Sequence, residues 1–118
     1  MADIKIVFET KPFPKERPRA TRQGRVFTPT TTIKYERLLK ELFREQLPDH
    51  KPFTKPVNIS IDVAVDKICV EVTEVDHKPK GMRGDLDNYV KAIMDALNGE
   101  AFEDDRQVVE IVARKVGP

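Results

Sequence analysis

The chain has 118 residues, 39% hydrophobic and 35% charged, which fits one soluble globular domain with a modest core and not a disordered chain. No apolar run is long enough to span a bilayer, and the start MADIKIVFETK lacks a signal-peptide pattern, so a cytoplasmic protein without a membrane partner is expected. The net charge of +1 hides a segregation: six Lys/Arg against one acid between Lys11 and Arg25, then eleven acids against five bases from Asp66 to Asp105.

Ile4 to Glu9 alternates apolar and polar residues and reads as a first strand. Lys11 to Gly24 reads as an exposed loop, because Pro12, Pro14 and Pro18 forbid regular helix and give a sheet no donors. Arg25 to Thr28 is expected to form a brief strand with its flanking turn. Thr28 followed by Pro29 is a helix start, with threonine as N-cap and proline in the first helical position. That helix should run to about Gln46, with Ile33, Tyr35, Leu38, Leu39, Leu42 and Phe43 as its core-facing stripe and Pro48 as its stop.

Val57 to Val65 alternates most clearly, with Val57, Ile59, Ile61, Val63 and Val65 on one face that is expected to be buried. Ile68, Val70 and Val72 repeat the pattern after Asp66-Lys67, so a second strand should follow a tight turn or bulge. Thr73 to Arg83 reads as a mobile loop. A second helix is expected over Leu86 to Leu97, with Asp85 as N-cap, Val90, Ile93, Met94 and Leu97 as core stripe, and Asn98-Gly99 as a left-handed stop. Gln107 to Val116 alternates through Val109, Ile111 and Ala113 as a closing strand. The order implies an α+β fold: a single domain over residues 1–118, with a mixed β-sheet and two main helices packed against it. Cys69 has no partner for an internal disulfide, and its apolar surroundings in the sequence suggest a buried, inert thiol.

Chemistry concentrates between Gly84 and Val109. Asp85 and Asp87 stand at the start of the second helix, and Asp104 and Asp105 follow its end. Carboxylates gathered closely repel unless a cation neutralises them, and hard oxygen ligands suit Mg²⁺ or Mn²⁺. An Asp-x-Asp pair alone is weak, since acids favour the positive end of a helix dipole. The second pair strengthens it. A 12-residue helix is roughly 18 Å long, and five extended residues, Gly99 to Glu103, reach up to about 17 Å. The geometry therefore allows the two pairs to meet without requiring it.

Lys91 lies four residues beyond Asp87 on one helix face, where an ion pair with Asp87 is the plain structural alternative. Asn88 could orient a carboxylate, and Asp95 reads as structural. His50 and His77 have no partner at ligand spacing and are not expected to be bases or zinc ligands. The basic arm (Lys15, Arg17, Arg19, Arg22 and Arg25) would supply sequence-independent phosphate contacts. Its alternative is a solvated loop. Phe27 reads as buried beside the helix start, and Phe13 is the better candidate for a wedge at a strand junction.

Gly-Asp-Leu-Asp-Asn-x-x-Lys-Ala-x-x-Asp-Ala-Leu-Asn-Gly from Gly84, followed by Phe-x-Asp-Asp-x-Gln-Val-Val from Phe102, resembles the signature of the RusA family of Holliday junction resolvases. Looser likeness extends to Arg17-Pro18-Arg19, Phe27-Thr28-Pro29 and the strand at Val57. The resemblance implies a RusA-like fold and a Mg²⁺-dependent endonuclease that acts as a homodimer on four-way branched DNA in recombination and repair. It implies metal-binding catalytic roles for Asp85, Asp87 and Asp105, a catalytic role for Lys91, and a supporting one for Asp104. Mn²⁺ is expected to substitute, and with no nucleotide-binding pattern no small-molecule cofactor is expected. The stretch Lys67 to Arg83 is longer than in the most compact relatives, so the loop leading to the site should be differently shaped. A flap- or fork-selective nuclease and a non-catalytic branched-DNA-binding module remain the alternatives.

Overall fold

A computed structural model describes residues 2–14, 19–20, 26–27, 30–76 and 78–117, with the backbone alone at 19–20 and 26–27. The fold is α+β, and its contacts divide into two units, Met1–Asp76 and His77–Pro118.

The first unit is built on a three-stranded sheet in the order β1-β5-β4, comprising β1 (Ile4–Phe8), β5 (Ile68–Glu74) and β4 (Val57–Val63). Both pairings are antiparallel, so no parallel pair makes the sheet mixed among the described residues. Directly opposed residues in such ladders share a face. The register therefore stacks Ile4, Val72 and Ile59 in one row, Ile6, Val70 and Ile61 in the next, and Phe8, Ile68 and Val63 in the third. Helix α1 (Thr30–Gln46) lies over β1, where Ile6 is 3% exposed and Phe8 9%. Burying each of these side chains contributes roughly 2 kcal/mol.

Toward β4 the same apolar face is open: Ile61 is 54% exposed and Val63 66%. The expected burial of one β4 face is thus not seen, because α1 covers the face from its β1 side. Residue 64 begins the connection, closed by a hydrogen bond from Ala64 N to Lys67 O at 2.9 Å. β5 then continues through Thr73 and Glu74, two residues placed by the sequence in a loop. Asp3 Oδ2 accepts from Glu74 N at 2.7 Å, and Val75 N donates to Pro56 O at 2.9 Å, so this end of the strand is tied on both sides.

The covered face of α1 is rotated from the expected stripe. Thr32 is buried, Tyr35, Leu39, Leu42 and Phe43 are half-buried, and Ile33 and Leu38 are exposed. The same face ends at Gln46, whose Oε1 accepts from Val7 N at 3.2 Å and whose Nε2 donates to Val7 O at 2.6 Å. This side chain satisfies backbone groups on edge strand β1 that could otherwise pair with another chain. The capping roles expected of Thr28 and Pro29 lie outside the described residues. A second ribbon pairs β2 (Arg19–Ala20) with β3 (Val26–Phe27), so the arm read as loop and brief strand contains two short strands.

In the second unit, α2 spans Leu86–Leu97, as expected. Gly99 adopts φ 83, the left-handed conformation that glycine takes without a Cβ penalty, and stops the helix. Residues 108–117 form no ladder among the described residues, so the expected closing strand is absent there. Alternation shows that a segment could present one face to a core; it does not supply a neighbouring strand edge. Here the run lines an open groove with α2, to which Leu86, Ile93, Val112 and Val116 contribute.

Candidate active site

The backbone of Asp85 starts α2. Its extended conformation (φ −73, ψ 146) leaves its carbonyl to accept from Asn88 N at 3.1 Å and Tyr89 N at 3.3 Å. Its carboxylate makes no capping hydrogen bond, so the expected N-cap is one of backbone position and not of side chain. Asp87 follows in the first turn, and both acids are exposed at the positive end of the helix dipole. Lys91, one turn on, is exposed and forms no ion pair with Asp87 among the described residues. The plain structural reading of that lysine is therefore not realised. Neither Asn88 nor Asp95 has a side-chain hydrogen bond or ion pair among the described residues.

The second pair of acids divides its work. Asp104 caps a short 3₁₀ helix, Asp105–Gln107: its Oδ1 accepts from Arg106 N at 3.0 Å, while its own N–H donates to Gln107 Oε1 at 3.0 Å. Arg106 also donates to Asp104 Oδ2 from Nε at 3.2 Å and Nη2 at 3.0 Å. The backbone bond first, and the guanidinium second, hold the Asp104 carboxyl below the ordinary aspartate value of 3.8, against a smaller cost of lost hydration. Asp105 is different. Its Oδ1 is buried with no hydrogen-bond partner among the described residues.

The connector does not run extended. Ala101 N and Glu100 N both donate to Leu97 O at 2.9 Å, and Gly99 N donates to Phe102 O at 2.8 Å, folding residues 99–102 into a turn at the C-terminal end of α2. Asp85 and Asp87 thus flank one end of the helix, and the connector to Asp104 and Asp105 leaves from the other. Among the described residues no three His, Cys, Asp or Glu side chains are grouped to hold one metal ion.

Two residues that the sequence reading passed over, Tyr89 and Lys115, meet Gly84 beside Asp85. Gly84 N donates to Tyr89 Oη at 3.0 Å, and Lys115 Nζ donates to Gly84 O at 2.8 Å. A glycine immediately before the acidic motif was the one available signal.

The basic arm lies mostly out of view: Lys15, Arg17, Arg22 and Arg25 fall outside the described residues, and only the backbone of Arg19 is placed, in β2. The side chain of Phe27 and all of His77 also lie outside them. Phe13 is 57% exposed and meets Tyr35 edge-on, with ring centroids 5.4 Å apart. His50 sits edge-on to both Phe43 and Phe53, at 5.7 and 4.9 Å, in a structural aromatic cluster. Cys69 in β5 is half-buried, less covered than the buried thiol expected.

The carboxylates of Asp85, Asp87 and Asp105 are donors of the type a hard divalent cation takes, and the buried Asp105 Oδ1 has no hydrogen-bond partner among the described residues, but the three are not grouped around one point there. No helix among the described residues is long and apolar enough to cross a membrane. No curated protein and no solved structure gave a significant match to the chain. A family model described as endodeoxyribonuclease RusA, however, matches residues 9–118, from the basic arm through both pairs of acids, and the chain belongs to this family of DNA-cutting enzymes.

Proposed function

We propose that the protein resolves Holliday junctions, cutting four-way DNA symmetrically by Mg²⁺-dependent phosphodiester hydrolysis in recombination and repair. The observation that carries this reading is the family match over residues 9–118, which includes every candidate site residue. Residues 1–118 act as one endonuclease domain in the cytoplasm, without a small-molecule cofactor. Two copies form a homodimer, because two equivalent nicks across a junction call for two sites related by a two-fold axis.

Asp85, Asp87 and Asp105 would hold the cation, with Mn²⁺ able to replace Mg²⁺. When bound, the ion supplies Lewis acidity toward the phosphate and lowers the pKa of a coordinated water. Asp104 is a supporting residue: its hydrogen bonds with Arg106 and Gln107 shape the 3₁₀ turn that carries Asp105. Lys91 extends from the same helix as Asp87, in no ion pair among the described residues, and its ammonium neutralises charge on the phosphoryl oxygens or the leaving oxygen. Lys15, Arg17, Arg19, Arg22 and Arg25 neutralise backbone phosphates and orient the branch without reading sequence.

A panel of equal-length substrates tests the specificity: a four-way junction, a flap, a replication fork and a linear duplex. The four-way junction should be cut fastest in Mg²⁺. Faster cutting of flap or fork would make the protein a nuclease of those structures, and binding without cutting would leave only a branched-DNA-binding module.

A further inference from the structure

We propose that Tyr89 and Lys115 are positioning residues that hold the backbone on both sides of Gly84, and thereby aim the carboxylate of the adjoining Asp85 at the cation; this rests on the metal-dependent reading above. Tyr89 holds this point of the chain twice. Its backbone N–H donates to Asp85 O at 3.3 Å, and its hydroxyl, one helical turn into α2, reaches back to accept from Gly84 N at 3.0 Å. Lys115 completes the clamp from the C-terminal run, with its half-buried Nζ 2.8 Å from Gly84 O, the carbonyl of the Gly84–Asp85 peptide.

With its N–H and its carbonyl both hydrogen-bonded, Gly84 is held on either side, and Asp85 is anchored through its own carbonyl. Glycine is needed here for space and not for a special φ: a Cβ at position 84 would stand 3.0 Å from Tyr89 Cζ and 3.2 Å from its hydroxyl oxygen. Lys115 makes no ion pair with an acid among the described residues, so its charge is spent on this carbonyl. Groups that orient metal ligands from behind typically matter 10–100-fold in affinity or activity, by rough estimate.

The test compares the full chain with Tyr89→Phe, Lys115→Met and Lys115→Arg. Two readouts are taken without DNA: hydrogen exchange at the Gly84 amide, and Mg²⁺ affinity by calorimetry. Junction cleavage and junction binding are then measured on the same proteins. Tyr89→Phe should speed Gly84 exchange, and both Tyr89→Phe and Lys115→Met should weaken Mg²⁺ binding about 10-fold or more. Cleavage should fall in parallel and recover at raised Mg²⁺, with junction Kd unchanged, and Lys115→Arg should restore part of the loss. Wild-type Mg²⁺ affinity in both variants, or losses that merely track a lowered Tm, would overturn the proposal. A wild-type protein that binds Mg²⁺ but cuts no junction would instead remove the resolvase reading, leaving the Mg²⁺ shifts to decide the clamp.

Discussion

Arg106 fills both oxygens of Asp104, through its backbone N–H at 3.0 Å on Oδ1 and its guanidinium at 3.0 Å on Oδ2. The adjacent carboxylate, Asp105, keeps a buried Oδ1 that no protein donor reaches among the described residues. Two acids that look equivalent in the sequence are therefore set apart by a single arginine. One organises the turn, and the other is left with coordinating capacity.

Substituting the two in turn should separate these roles. Asp105→Asn should lower the single-turnover cleavage rate by more than about 100-fold, beyond the usual cost of losing a group behind a metal ligand. Asp104→Asn should cost less than about 10-fold, since its contribution is to the shape of the turn. Equal losses in the two variants would mean that Asp104 also works at the reacting centre.

The Asp104 cap also predicts a pH dependence of stability. Its carboxyl is held below 3.8 in the folded chain, so its contribution is fully present above that value and is lost as pH falls through the lowered folded pKa. Urea midpoints measured from pH 6 down to about pH 2 should therefore fall less steeply for Asp104→Asn than for the wild type. Parallel acid limbs would show that the cap contributes nothing to folding.

Much of this could be read from residues alone, where a pattern carries its own partner. The alternation at Val57 and at Ile68 produced two strands that pair with each other across a short connection, as neighbouring strands commonly do. The helix over Leu86–Leu97 followed from its stripe and from Gly99. Patterns that need a distant partner were less legible. Gln107 to Val116 alternates as well, yet no strand edge takes it up among the described residues. In α1, Thr32 is covered while Ile33 and Leu38 are exposed, and the bond of Gln46 to the backbone of Val7, 39 residues away, has no local signature. The acid pairs and Lys91 were visible as motifs, whereas the grip of Lys115 on Gly84, 31 residues apart, has no local signature.

Lys91→Ala should slow cleavage by about 100-fold, the scale of losing one group that stabilises charge in the transition state. Because Lys91 makes no ion pair with Asp87, its Tm should stay at the wild-type value. A normal cleavage rate would reduce Lys91 to a solvent-exposed charge.

Neutralising the arm should be felt in binding. Arg17→Gln with Arg19→Gln should weaken junction binding and reduce the slope of log K against log salt by about 1.8, if each arginine meets one phosphate. Fluorescence anisotropy across a salt series checks this. An unchanged slope would take the arm out of the interface.

The most direct measurement is cleavage of a four-way junction labelled in turn on each strand, in Mg²⁺, in EDTA, and with Asp85→Asn or Asp87→Asn protein. Paired nicks at symmetric positions in Mg²⁺ are the predicted result, abolished by EDTA and by either variant while junction binding persists or tightens as charge repulsion is relieved. Cutting that survives EDTA or both substitutions would contradict a metal-dependent resolvase centred on these carboxylates.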